Sequence, residues 1–67
     1  MASIIMMKIM MRAARREAVK TFKDANDLDR EGQHARARSL RTHAESLARE
    51  ADDLERQIRE QQRKKGK

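Results

Sequence analysis

Between Ala37 and Ile58 the apolar residues Ala37, Leu40, Ala44, Leu47, Ala51, Leu54 and Ile58 recur at alternating intervals of three and four. That spacing places all seven on one narrow stripe of a helix, and the residues between them are almost all charged or polar. Small Ala alternates with larger Leu, which suits helices that approach closely at the alanines and fill the remaining volume with the leucines. A single helix face exposed to water returns little of the entropy lost on ordering, so the stripe demands a partner.

The rest of the composition narrows what that partner is. The chain has 67 residues, no cysteine and no proline, 42% charged residues, and Phe22 as its only aromatic. Few β-branched residues and no aromatic cluster leave nothing to build a strand core, so the class is all-α. A chain this short has neither disulfide nor cysteine-based metal site to staple it, which leaves oligomerisation. The net charge of +6 hides a block pattern: residues 1–23 carry six bases and one acid, 24–35 one base and four acids, 36–44 three bases, 45–60 three bases and six acids, and 61–67 four bases. The positive field is therefore local, and nucleic acid, an anionic membrane surface or an acidic protein could each answer it.

Residues 1–11 are apolar on nearly every side but are too few to cross a bilayer, which takes about 20 residues of helix. No base precedes this run and Lys8 interrupts it, unlike a secretory signal, whereas four bases and no acid over residues 1–16 is a composition shared with mitochondrial targeting segments. Met1, Met6, Met7, Met10 and Met11 each offer a start. Absence of cysteine fits a reducing compartment, and the cytoplasm is the expected location. A second seam runs through Ile4, Met7, Met11, Ala14, Ala18, Thr21, Ala25 and Leu28, with Thr21 as its interruption and Val19 and Phe22 on a flank. The good helix formers from Ala13 to Ala18 support a helix there.

The segment Asn26–Gln33 contains the only interior glycine, Gly32, and phase arithmetic makes it a reversal. Leu28 and Ala37 are nine residues apart, about 180° around a straight helix, so an unbroken rod would point the two seams to opposite sides. Asp27 or Asp29 is positioned to cap a second helix, and Gly32 or Asn26 to take the left-handed conformation common at a helix C-terminus. The reading is a single helical hairpin: helix 1 over about 4–30, a turn near 29–33, helix 2 over about 32–62, and a frayed basic tail at 63–67. Antiparallel pairing brings Glu50, Asp52, Asp53 and Glu55 beside Lys8 and Arg12. Two hairpins packed face to face bury both seams, so the expected architecture is a homodimer forming an antiparallel four-helix bundle. Its core comprises Met11, Ala14, Ala18, Thr21, Ala25, Leu28, Ala37, Leu40, Ala44, Leu47, Ala51, Leu54 and Ile58.

From the turn into the second helix, Asn26, Leu28, Asp29, Gln33, Ser39, Leu40, His43, Ala44, Leu47 and Arg49 fall without a gap into a pattern that resembles the Rop (repressor of primer) family, with Met10, Arg12 and Arg15 in step in the first helix. The resemblance covers roughly residues 10 to 50. It implies a dimeric four-helix bundle that binds the loop–loop complex of an antisense RNA and a primer precursor, the business of plasmid copy-number control. The positions in step with that family's RNA-contacting residues are Ile9, Ala13, Glu17 and Asp24, which carry different chemistry here.

The residues themselves offer a separate candidate surface on helix 1: Lys8, Arg12, Arg15, Arg16, Lys20 and Lys23, with Phe22 among them. Cations that meet phosphates and one aromatic that can stack a splayed base are the requirements of an RNA-binding face, and the same pattern is equally a solvated face of a coiled coil. His34 and His43 are nine apart, on opposite sides of a helix, and complete no ligand set of recognised spacing, so neither metal nor cofactor is expected. The Thr21–Asp24 and Thr42–Glu45 capping-box patterns fall inside periodic helix and read as incidental. No nucleophile has a base in reach and no glycine-rich phosphate loop is present, which points to a non-enzymatic protein. The expected function is an RNA-binding regulator; the alternative is an interaction subunit whose Ala/Leu helix and apolar N-terminus dock on other proteins or an anionic membrane.

Overall fold

The computed structural model describes residues 3–65, which form two antiparallel α-helices, α1 (Ile4–Arg30) and α2 (His34–Lys65), folded into a hairpin about 54 Å long and 17 by 14 Å across. Ser3 starts α1: its backbone is extended (φ −70°, ψ 158°) and its hydroxyl accepts the Met6 N–H at 3.1 Å. A serine is among the best residues there because it satisfies one of the orphan amides of the first turn. The reversal is a Schellman turn. Gly32 has φ +85°, its N–H donates to the Asp29 carbonyl at 3.0 Å, and the Gln33 N–H reaches back to the Leu28 carbonyl at 2.8 Å. Glycine takes that conformation without the steric cost a side chain would add.

Three expectations change. Neither Asp27 nor Asp29 caps α2: Gln33 occupies the position whose carbonyl accepts the first helical bond, from the Ala37 N–H at 3.1 Å, and Asp29 is directed to side chains instead. Helix α2 begins at His34 rather than near residue 32. It also continues through 63–65, where fraying was expected; Gly66 and Lys67 lie outside the described residues. Gln, Arg and Lys are good helix formers, and cations at a helix C-terminus complement its dipole, so α2 outlasts its own apolar stripe.

The seam is centred on small residues. Ala25, Ala37, Ala44 and Ala51 are fully buried, joined by Met7, Ala14, Ala18, Thr21 and Ile58. Alanine-to-alanine contact lets the helix axes approach closely along most of the hairpin. Thr21 fits this layer because its hydroxyl donates to the Glu17 carbonyl at 2.7 Å, leaving only the methyl toward the seam. Thr42 likewise donates to Arg38, so both threonines of the capping-box patterns bond within continuous helix. Met11, Leu28, Leu40, Leu47 and Leu54 are only half-buried in the hairpin. The accessible surface of 5530 Å² compares with roughly 4400 Å² expected of a compact 7.9 kDa monomer. A two-helix slab leaves that excess wet.

Candidate nucleic-acid interface

On α2 the alanines at 37, 44 and 51 form the centre of the contact, and the residues three and four positions onward fall on opposite sides of it. Leu40, Leu47 and Leu54 line one flank; Arg41, Ala48 and Glu55 line the other. The second flank is closed by polar contacts across the hairpin. Arg15 pairs with Glu55 at 3.1 Å and approaches Asp52 at 3.9 Å, while Arg41 donates to Asp29 and, at 3.0 Å, to the Asn26 side-chain oxygen. Asp29 also bonds His34 Nδ1 at 2.9 Å, and these contacts, His34 before Arg41, hold its carboxyl below the usual carboxylate range. The cross-helix partner of the late acids is therefore Arg15, not Lys8 or Arg12: Asp53 is taken by Arg56 within α2, and Glu55 is shared with Arg59 at 3.7 Å.

The candidate RNA-binding residues occupy four settings. Arg15 is a strut between the helices, as above. Lys8 is half-buried at the edge of a shallow groove with Met11, Arg12, Glu55 and Ile58. Arg12, Arg16, Lys20 and Lys23 are exposed, and among the described residues none of the four has a carboxylate within salt-bridge distance. They run over the outer crest of α1 for about 16 Å of helix, given about 1.5 Å per residue. Phe22 is half-buried and borders a notch of about 260 Å³ lined by Arg15, Ala18, Val19, Ala48 and Asp52. Val19 beside it is 69% exposed. The aromatic thus lies on the Arg15 flank, between the seam and the crest, next to an apolar floor that periodicity alone does not reveal. Ala48 enters only because the helices are close.

His34 serves the turn, and His43 is exposed on the leucine flank; among the described residues no group of three His, Cys, Asp or Glu side chains could hold a metal ion. No helix of the described residues is long and apolar enough to cross a membrane. Comparison with protein-family models, curated proteins and solved structures finds no match to this chain. The class defined by the architecture is therefore a small all-helical hairpin with a basic outer crest and one unfinished apolar flank.

Proposed function

We propose that the chain is a small non-enzymatic RNA-binding regulator that works as a homodimer, two hairpins joined on their leucine flanks into an antiparallel four-helix bundle. Its action is Rop-like: it stabilises a complex between an antisense RNA and a primer RNA in the cytoplasm, in the manner of plasmid copy-number control. The observation that carries this reading is the column of exposed cations Arg12, Arg16, Lys20 and Lys23, with no carboxylate in salt-bridge distance among the described residues, whereas neighbouring Arg15 is held by Asp52 and Glu55. Phosphates are the natural partners of such a column, and Phe22 beside it supplies an aromatic surface for an unpaired base. Lys8 extends the column toward the N-terminus, and Arg15 positions the two helices beneath it. Dimerisation is supported by the half-buried leucines and by the surface excess over a compact monomer.

The mechanism is linkage. A protein that binds paired RNAs more tightly than the separate strands shifts their equilibrium by the ratio of those affinities, with no chemistry of its own. The test is retardation of a kissing RNA pair by the purified chain over a range of salt. With at least about six phosphates engaged by the two copies, affinity falls about a thousandfold between ~50 and ~200 mM salt. The double substitution Arg12→Glu with Arg16→Glu abolishes retention while leaving helicity intact, because neither side chain supports the seam. Retention unchanged by that pair of substitutions overturns the reading.

A further inference from the structure

At the end of the rod opposite the turn, the first two turns of α1 expose four large apolar side chains. Ile5 is 72% and Ile9 56% accessible, with Met6 and Met10 close behind. Around the helix axis these four spread over an arc of roughly 140°, facing outward and sideways rather than into the seam. The proposed bundle leaves Ile5 and Ile9 uncovered: Met6 and Met10, one turn apart, lie toward the leucine flank, whereas Ile5 and Ile9 point away from both helices of any partner seated there. RNA does not suit them either: aliphatic side chains have no π-face to stack on a base and no donor for a phosphate.

The same end is basic. Lys8 lies between the apolar turns of α1 and Arg12 just behind them, and the antiparallel arrangement returns Arg59, Arg63 and Lys64 of α2 to the level of the apolar residues. The acids nearby are Glu55, engaged by Arg15 and Arg59, and Glu60. Apolar side chains over a wide arc of α1, with cations among them and beside them on α2, match an anionic bilayer surface, where acyl chains lie next to phosphate headgroups and long basic side chains reach back to those headgroups. The apolar portion from Ile4 to Met11 is about 10 Å of helix, the depth an interfacial segment reaches and far short of a span.

We propose that the open end of the hairpin is a membrane-docking tip, in which Ile5, Met6, Ile9 and Met10 insert into the outer acyl region of an anionic bilayer while Lys8, Arg12, Arg59, Arg63 and Lys64 meet lipid phosphates. The inference shares Lys8 and Arg12 with the RNA reading, which otherwise uses the crest further along α1. Docking by the tip leaves Arg16, Lys20 and Lys23 free, so a docked molecule keeps most of that crest available.

The experiment is co-sedimentation of the full chain with phosphatidylcholine vesicles containing about 30% phosphatidylglycerol and with phosphatidylcholine alone. The chain binds the anionic vesicles at least about tenfold more tightly, and Ile5→Gln with Ile9→Gln lowers that binding about tenfold or more at unchanged helicity. Arg59→Gln, Arg63→Gln and Lys64→Gln together lower it as well and remove the preference for anionic lipid. Because the chain has no tryptophan, Ile5→Trp gives one reporter whose emission shifts to the blue on the anionic vesicles. Failure to bind them, binding undiminished by the glutamine pair, or an unshifted Ile5→Trp emission overturns the tip. So does a fall in the molar mass of the lipid-free chain on introducing the glutamine pair, which assigns these residues to a second copy. RNA retention is unaffected by the glutamine pair; loss of retention instead assigns the tip to RNA and also overturns the proposal.

Discussion

The two flanks of this hairpin start from the same pair of helices and end differently. On one, Arg15 with Glu55 and Arg41 with Asp29 and Asn26 tie α1 to α2 across the Phe22–Ala48 notch. On the other, Leu28, Leu40, Leu47 and Leu54 are half-covered and bonded to nothing beyond the seam, and near the turn Leu28 and Leu40 line an apolar hollow of about 400 Å³. The first flank is finished within one chain; the second is not. Polar contacts of the exposed kind set the register of two helices but stabilise them little, each contributing roughly 0–1 kcal/mol. The free energy that makes a chain this small fold has to come from apolar burial, and the surface still available for it is on the leucine side.

The sharpest way to break the contrast is Leu47→Asp. If the leucine flank is buried against a second copy, each molecule then carries an unpaired carboxylate in a core, costing about 3 kcal/mol or more, and both dimer mass and helicity collapse in sedimentation and circular dichroism. A variant that sediments and melts like the parent would mean that the flank faces water. Next in size is Ala44→Leu. Ala44 is fully buried where the helices meet, so added methylenes force them apart at a cost of about 1–3 kcal/mol, read as a lower melting temperature. Ala48→Leu, one turn on and half-buried on the polar flank, shifts stability by only about 0.5 kcal/mol. The smallest effect belongs to Asp29→Asn. Asp29 holds its proton less tightly in the hairpin than in the unfolded chain, so its contribution is full above about pH 4 and fades as pH falls through the lower folded value. The melting temperature of parent minus variant is therefore small and positive near neutrality and closes toward zero in acid.

Much of this was legible in the residues. The three–four spacing of Ala37 to Ile58 and the nine-residue phase step from Leu28 to Ala37 require two helices and a reversal, and Gly32 is where a positive φ is cheapest. The candidate RNA column was visible as bases off the seam. Its division was not: Arg15 differs from Arg12 and Arg16 only in the acids that α2 brings within 4 Å, and composition holds no record of that approach. Apolar periodicity carries no sign of the continuation of α2 through residues 63–65, because propensity and the helix dipole prolong a helix that has nothing left to bury.

Local rules therefore determined what is local here: helical class, the place of the reversal, and which residues could share a face, since each follows from backbone geometry and the 3.6-residue repeat. Only the packed hairpin decided which member of each Ala/Leu pair lies at the centre, which cation is held by a carboxylate, and which apolar side chains remain uncovered at the open end. Those depend on the distance and rotation between two helices far apart in sequence, quantities set by the fit of their surfaces and by no single stretch of either.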